Sequence, residues 1–179
     1  DVKAWAKRAG NALGVPVSGL AGLHALFYLA VARHSASGDT GCFVTSSEWV
    51  DSAYGESVRR LLVGPLGLRS LSFLSPQAQA FGDATTTALV ACWDSSAKST
   101  HVQVCRAHDT DELLDLSRGS ALSLRTLARE SKWSAVGQPR PRKKTGMVPL
   151  GELVSVRRGL ATGANAVFTL PEHQAVQLG

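Results

Sequence analysis

The side chains best suited to catalysis or metal binding are scattered along the chain rather than grouped. No two of its five histidines lie four residues apart beside a carboxylate, and its three cysteines form no Cys-x-x-Cys pair. Ser46 and Ser47 follow an apolar segment but lack the flanking glycines of a nucleophile elbow, so helix capping explains these hydroxyls better. A P-loop is also absent. The sequence therefore predicts no metal site and no self-sufficient catalytic set.

Basic residues are concentrated in the second half of the chain. The net charge is +5, and residues 118–158 hold ten basic residues against Glu130 and Glu152. Within this window a proline-containing basic run carries Arg140, Arg142, Lys143 and Lys144. Proline opposes helix and favours extended, solvated chain. Such a run is either a soluble linker or a segment that lies along a phosphate backbone and releases counterions.

Composition predicts a globular protein without a membrane span. The chain has 179 residues, of which 44% are hydrophobic and 18% charged. Its longest apolar stretch, residues 20–32, is shorter than the ~20 residues that a membrane span needs, and no signal peptide opens the chain. We therefore expect a reducing, cytoplasmic setting. Because the first residue is Asp1 rather than Met, we also expect a piece of a longer protein.

Hydrophobic periodicity predicts alternating helices and strands. We expect the second helix to bury Leu23, Phe27, Ala30 and Val31, and the third to turn Arg59 and Arg60 outward. The predicted helices are 2–13, 20–35, 56–63 and 109–116, and the predicted strands are 42–45, 68–74, 85–93 and 101–106. Strands separated by helices favour parallel pairing, whereas the missing helix between residues 74 and 85 forces an antiparallel return. This order is the tail end of an α/β sheet whose N-terminal half lies elsewhere.

Four stretches, read together, resemble the later part of DNA adenine-N6 methyltransferases of the restriction–modification type. Residues 23–49 resemble the helix and strand that follow the family's catalytic loop. Tyr54-Gly55-Glu56-Ser57-Val58-Arg59-Arg60-Leu61-Leu62 resembles its next helix, commonly Tyr-Gly-x-x-Leu-Arg-x-x-Leu. Residues 80–90 are similar to its Val-Phe turn before the last strand. Residues 157–168 are similar to Gly-Ile-x-Thr-Gly-x-Asn-x-x-Phe at the start of its recognition domain.

This resemblance implies an α/β fold: the C-terminal half of a Rossmann-like S-adenosylmethionine-dependent methyltransferase sheet with an antiparallel last strand, followed by the start of a second domain. Residues 1–133 would belong to the catalytic domain, 134–147 to a basic Pro/Gly linker and 148–179 to the DNA target-recognition domain. The family's cofactor loop and Asn/Asp-Pro-Pro-aromatic loop do not occur here. S-adenosylmethionine would therefore be bound mainly by the missing N-terminal part, and this segment alone would be inactive.

The resemblance also implies a pocket for an adenine flipped out of the duplex, on which an aromatic side chain stacks. Phe81 is the first candidate for this pocket and Trp49 the second. The alternative for Phe81 is a core residue at the start of a strand, and the alternative for Trp49 is packing.

For contact with double-stranded DNA, the resemblance indicates Arg157, Arg158, Thr162 and Asn165. Glycine-flanked loops let a backbone approach phosphate closely, and Arg and Asn can read guanine and adenine edges. Arg140, Arg142, Lys143 and Lys144 would attract phosphates without reading sequence. The alternative is a surface turn with incidental charge.

Two other functions remain open. One is a noncatalytic DNA-binding or specificity subunit that meets a separate catalytic chain. The other is a fragment of an RNA or protein methyltransferase with the same sheet. An intact catalytic loop encoded upstream would favour the DNA methyltransferase over the specificity subunit.

Overall fold

The computed structural model describes residues 1–78, 87–96, 99–115, 118–138, 146–157, 159 and 171–177. The chain divides into two compact units, Asp1–Pro139 and Arg140–Gly179. The first unit includes residues 134–138, which the sequence assigned to a linker. They stay with it because Val136 is buried in its core and Arg106 donates to the carbonyl oxygens of Ser134 and Val136.

The helices of the first unit follow the predicted order. The side chain of Asp1 caps α1 by accepting from the backbone N–H of Lys3, which satisfies one of the free donors of the first turn. The third helix is confirmed at the predicted residues. The α-helices are α1 (Val2–Ala12), α2 (Leu23–His34), α3 (Glu56–Val63) and α4 (Leu124–Arg129), with 3₁₀ turns at Ser47–Val50, Pro76–Ala78 and Asp111–Leu114. The predicted helix at 109–116 is thus only a 3₁₀ turn, and α4 was not predicted.

The strands form one mixed sheet in the spatial order β1-β3-β2-β4-β5. They are β1 (Thr40–Ser46), β2 (Leu68–Leu74), β3 (Ala88–Asp94), β4 (His101–Ala107) and β5 (Ser120–Ser123). Strand β3 is antiparallel to both β1 and β2, so these two run in the same direction, and β2 is parallel to β4. The antiparallel return after β2 is confirmed, whereas β5 was not predicted.

An aromatic cluster forms the centre of the core between the sheet and the helices. Tyr28 of α2 contacts the rings of Phe43, Trp49 and Trp93 at centroid distances of 4.9, 5.9 and 6.0 Å. Trp133 extends the cluster by packing against Trp49 at 6.0 Å. Aromatic side chains bury large areas and prefer such tilted or edge-on contacts. Gly41 of β1 fits this cluster because a Cβ there would lie 2.3 Å from the Trp93 ring.

The predicted buried face of α2 is wrong for Leu23 and Phe27, whereas Val31 is partly buried and packs against the core as predicted. Leu23 and Phe27 are 68% and 57% exposed, whereas Tyr28 and Leu29 are almost wholly buried. The aromatic cluster explains the rotation, because packing Tyr28 against three rings turns Leu23 and Phe27 away from the core.

The predicted outward orientation of Arg59 is also wrong. Its side chain is 8% exposed and its Nη1 donates to the carbonyl oxygens of Trp49, Val50 and Ser52, at 2.8, 3.0 and 3.2 Å. Burial lowers the pKa of Arg59, because a desolvated guanidinium is disfavoured. Arg59 thus fixes the turn after β1, while Arg60 stays at the surface in an ion pair with Glu56.

The described residues of the second unit include two short helices, α5 (Leu150–Leu153) and α6 (Glu172–Gln177). Leu150 and Leu153 are 65% and 67% exposed, so α5 buries no large apolar side chain. Among the described residues of the whole chain, no helix is long and apolar enough to cross a membrane.

Candidate functional site

A cavity of about 440 Å³ opens where three strands end. Leu74 is the last residue of β2 and Ala107 is the last residue of β4, and the residues that directly follow β1, β2 and β4 are Ser47, Ser75 and His108. The carboxyl ends of three strands that run in the same direction therefore meet at the cavity. Open α/β sheets bind ligands at this edge, because loops leave the strands there and are free to carry polar groups. The cavity lining is Ser47, Val50, Phe73, Leu74, Ser75, Pro76, Thr87, Ala88, Arg106, Ala107, His108, Ser134, Ala135 and Gln138.

Two hydroxyl residues join β1 to β3 at the cavity. Ser47 and Thr87 share a hydrogen bond of 2.5 Å between their hydroxyl oxygens, and the backbone N–H of Ser47 donates to the Thr87 carbonyl at 3.1 Å. The predicted capping role is confirmed for Ser46, whose hydroxyl accepts from the Glu48 N–H at the start of the 3₁₀ turn. Fixed hydroxyls at this position can hydrogen-bond a polar ligand, since each has both a donor and acceptors.

Arg106 holds the opposite wall. Its guanidinium lies 4.5 Å from the centroid of the Phe73 ring, a cation–π contact. The same group donates to the carbonyl oxygens of Ser134 and Val136, so it fastens the segment after Trp133 to β4. Burial lowers the pKa of Arg106, which reflects the cost of desolvating a cation.

Asp51 fixes the same segment from the other side. Its carboxylate accepts from the N–H of Ser134 at 3.0 Å and from the Ser134 hydroxyl at 2.5 Å. Burial alone would raise the pKa of Asp51, but the bonds from Ser134, aided by Lys132, outweigh it and lower that pKa. Asp51, Arg106 and Ser134 were missed by sequence analysis, because nothing local to any of them indicates the contact. Their only sequence signal is position: Arg106 is the last residue of a predicted strand, and Asp51 and Ser134 closely follow Trp49 and Trp133.

Phe81 lies outside the described residues, as do the neighbouring positions 79–86. The residues on either side of this connection are described, and both Pro76 and Thr87 line the cavity. Trp49 has 0% exposure, its Nε1 donates to the Thr45 hydroxyl at 2.9 Å and its ring packs against Tyr28 and Trp133. Stacking on a base needs an accessible ring face, and Trp49 has none here; its observed role is packing.

Of the predicted DNA contacts, only Arg157 is described, and it is exposed in the segment after α5. Arg158, Thr162 and Asn165 lie outside the described residues, as do Arg140, Arg142, Lys143 and Lys144. Their roles stay predictions. Within the described part of the chain, no group of three or more His, Cys, Asp or Glu side chains could hold a metal ion.

A second feature is an apolar groove beside the edge strand β1. The β1–α2 groove has a volume of about 350 Å³ and is lined by Leu23, His24, Phe27, Phe43, Val44, Thr45 and Ser46. Val44 is 54% exposed. Burial lowers the pKa of His24, with Glu48 opposing this in part, and the buried Nε2 has no hydrogen-bond partner among the described residues.

Comparison with known proteins identifies relatives. The chain is 37% identical over 173 residues to the type II methyltransferase M.XamI of Xanthomonas campestris pv. amaranthicola, covering 97% of this chain and 33% of that protein. The chain is a homologue of part of the type II methyltransferases. A second member, M.AccI of Acinetobacter calcoaceticus, is 26% identical over 181 residues, covering 94% of this chain and 34% of that protein. The chain thus spans about a third of the length of these methyltransferases.

Other comparisons add less. No family model matches the chain. Among solved structures, the type IIG restriction endonuclease BpuSI is similar with a TM-score of 0.46 and 17% identity, over 59% of this chain and 13% of that one. A similarity at this level carries no argument about function.

Proposed function

We propose that the chain is the C-terminal part of the catalytic domain of a DNA adenine-N6 methyltransferase, with the start of its recognition domain. The observation that carries this is the 37% identity to a type II methyltransferase over 97% of the chain. The Rossmann-like sheet, the adenine target and base flipping rest on the four resembling stretches. We place the protein in the bacterial cytoplasm, as part of a restriction–modification system.

The cavity at the strand ends suits the flipped base better than the cofactor. S-adenosylmethionine supplies the methyl group from a cationic sulfonium, and it also carries a ribose diol. Among the described residues that line the cavity none is acidic, and Arg106 is a cation. A neutral, planar base needs hydrogen-bonding groups and an aromatic face, which the hydroxyls of Ser47, Ser75 and Thr87 and the ring of Phe81 would supply. The cofactor would then be held mainly by residues outside this chain.

The chain's own residues act as the wall of this base pocket. Phe81, on the connection between Pro76 and Thr87, would stack on the extruded adenine and exclude water from it. The Ser47–Thr87 bridge and the Arg106–Phe73 contact keep the two ends of that wall in place. Holding the base rigidly favours transfer, because the amino nitrogen must be aligned with the methyl group.

We place the rest of the catalytic domain on the β1–α2 groove. Strand β1 is at the end of the sheet order, and the groove beside it exposes Leu23, Phe27 and Val44. An unpaired edge next to apolar side chains is a template for another strand. The two relatives are about three times as long as this chain, so each has further sequence of sufficient length to supply such a segment. An apolar strand from the missing N-terminal part would extend the sheet there.

The DNA contacts lie in the basic second half of the chain. The phosphates would be attracted by Arg140, Arg142, Lys143 and Lys144. The duplex would be contacted at the start of the recognition domain by Arg157, Arg158, Thr162 and Asn165. Double Arg157→Ala, Arg158→Ala replacement should weaken duplex binding by the whole protein and flatten its salt dependence. An unchanged affinity and salt slope would refute that assignment.

The test of the proposed function is methyl transfer by the whole protein. The chain would be joined to the part encoded upstream, incubated with duplex DNA and radiolabelled S-adenosylmethionine, and the DNA digested to nucleosides. We expect the label in N6-methyl-2′-deoxyadenosine. Phe81→Ala should lower transfer by ten- to a hundredfold, whereas Phe81→Tyr, which keeps an aromatic ring at the same position, serves as the matched control and should retain most of the transfer. Label in a cytosine or in RNA, or none at all, would overturn the proposal.

The docking proposal has its own test. The 179-residue chain and the upstream part would be produced as separate polypeptides in one cell and purified through a tag on either. We expect a one-to-one complex that buries the β1–α2 groove, seen as slower amide exchange in β1. If β1 exchanges equally fast alone and in the complex, the groove is not the contact surface.

A further inference from the structure

Two of the three cysteines lie next to each other, and neither methyl transfer nor DNA binding explains their pairing. Cys42 of β1 and Cys92 of β3 are directly opposite in the antiparallel register, and their Sγ atoms are 3.3 Å apart with Cys92 donating to Cys42. Cys42 is exposed and Cys92 half-buried, so a small reagent can reach them. We propose that Cys42 and Cys92 are a redox modification site that closes reversibly to a disulfide.

The backbone already has the geometry that a disulfide needs. Residues directly opposite in an antiparallel pair have Cα atoms about 4.5–5.5 Å apart, which lies within the range of about 4.4–6.8 Å found in disulfides. The strands continue their register on both sides, with Gly41 opposite Trp93 and Phe43 opposite Ala91. Closing the bond therefore needs side-chain rotation and a small local adjustment rather than a change of strand register.

The third cysteine is excluded by topology. Cys105 is buried on β4, and β2 lies between β4 and β3. Two strand spacings separate Cys105 from β3, or roughly 10 Å along the hydrogen-bonding direction, which is too far for a disulfide. The folded chain thus has one allowed pairing, and Cys105 is an internal control.

Glutathione disulfide is a suitable oxidant for the step. A thiolate of the pair attacks one sulfur of glutathione disulfide and releases a glutathione thiolate, leaving a mixed disulfide. The other cysteine loses its proton to solvent and displaces the second glutathione, so two thiols of the protein are oxidised and one glutathione disulfide gives two glutathiones. Burial and the neighbouring Cys92 raise the pKa of Cys42 to about 12. A small thiolate fraction makes the reaction slow at neutral pH and faster as pH rises.

Oxidation would join the edge strand β1 covalently to β3. The new bond would close a loop between residues 42 and 92, which restricts the unfolded chain and leaves the sheet as it is. Strand β1 carries the β1–α2 groove, so oxidation would make the groove-bearing edge harder to detach from β3.

The experiment uses the 179-residue chain with and without glutathione disulfide. Thiol titration in denaturant should fall from three thiols to one. Trypsin places each cysteine in its own peptide, at 34–59, 70–98 and 99–106. We expect the first two to be linked and to separate on reduction, and the midpoint of thermal unfolding to rise by roughly 5 °C or more.

Variants separate this site from nonspecific oxidation. Cys105→Ser should leave the linked peptide and the thermal shift unchanged, and Cys42→Ser should abolish both. Three persistent thiols, glutathione retained on Cys42, a linkage to the 99–106 peptide, or a linkage between two chains would each overturn the proposal. None of these readouts requires methyl transfer, so the failure of the proposed function would leave this result intact.

Discussion

The cavity at the strand ends and the β1–α2 groove lie at two places along β1 and differ in how their side chains are held. The cavity is bordered by polar groups that already have protein partners: Ser47 with Thr87, Arg106 with Ser134 and Val136, and Ser134 with Asp51. The groove exposes Leu23, Phe27 and Val44, and the buried Nε2 of His24 finds no hydrogen-bond partner in the part of the chain that the structure describes. Fixed polar groups suit a small planar ligand, whereas uncovered apolar groups suit a protein segment. The two surfaces therefore have different expected occupants.

The largest expected effect comes from removing the guanidinium that holds the turn leading into the cavity. Arg59→Ala removes a buried donor from the carbonyl oxygens of Trp49, Val50 and Ser52. The Val50 oxygen keeps the Trp133 N–H, and the Trp49 oxygen keeps the longer bond from the Ser52 hydroxyl. We expect the free energy of unfolding, measured in urea, to fall by about 3 kcal/mol. The matched control is Arg60→Ala, which removes an exposed ion pair with Glu56 and should change it by less than about 0.5 kcal/mol. Equal effects of the two variants would contradict the assigned role of Arg59.

The second effect is weaker binding of the N-terminal part of the catalytic domain to the β1–α2 groove. Val44→Lys places a charge where Val44 is 54% exposed, so the stability of the chain alone should hardly change. Its affinity for the separately produced N-terminal part should fall tenfold or more, which is about 1.4 kcal/mol. Calorimetry measures it, with Val148→Lys in the second unit as an equally exposed control. Tight binding by Val44→Lys would remove the groove from the interface.

The third effect concerns the segment that closes the cavity. Asp51→Asn cannot accept both bonds from Ser134, and we expect a loss of about 1 kcal/mol in unfolding free energy near pH 7. Because the pKa of Asp51 is lowered in the folded state, the stability from its carboxylate is present above the ordinary pKa and lost as pH falls. The difference between wild type and variant should therefore shrink from pH 5 to pH 3.

A double-mutant cycle checks this third prediction. Ser134→Ala should lower the free energy of unfolding by a similar amount. The double variant should lose less than the sum of the two, because both single changes remove the same hydroxyl–carboxylate hydrogen bond. Full additivity would show that Asp51 and Ser134 act separately.

The smallest effect is a pH response at the groove. Because burial lowers the pKa of His24, folding favours the neutral imidazole, and the free energy of unfolding should fall as pH drops below about 6.5. His24→Gln should reduce this slope, whereas His34→Gln, at the exposed end of α2, should leave it unchanged. If covering the groove buries His24 further, the complex should dissociate more readily at pH 5.5 than at pH 7.5. A pH-independent affinity would contradict that burial.

Local patterns predicted the elements of this fold better than its contacts. The helix at 56–63 and the strand at 68–74 were predicted with their observed bounds, because each has a clear period and the glycine-containing turn at 64–67 separates them. The four-residue β5 and six-residue α4 are too short to show a period. The face of α2 was predicted wrongly because apolar residues occur on both of its sides, and only tertiary packing of Tyr28 decides which is buried.

The candidate site was less predictable for a related reason. Which strand ends meet depends on the insertion of β3 between β1 and β2, and no residue in any one strand encodes that order. Arg106 and Asp51 reach Ser134 across 28 and 83 positions, distances that no local motif spans. Phe81 was named as a pocket residue because residues 80–90 resemble a family motif, and since it lies outside the described residues its role stays a prediction.

The position of β3 between β1 and β2 sets an order of strand pairing during synthesis. Strand β1 pairs with β3, and its residues meet partners that lie 42 to 54 positions later, from Ser46 with Ala88 to Thr40 with Asp94. During translation β1 must therefore leave the ribosome well before its partner exists. The β2–β3 hairpin, with its shorter loop, can form first and then capture β1. Until residue 94 emerges, the aromatic core around Tyr28 is incomplete, and in a longer protein any N-terminal part already made would have to wait, or be shielded, before it could dock on that edge.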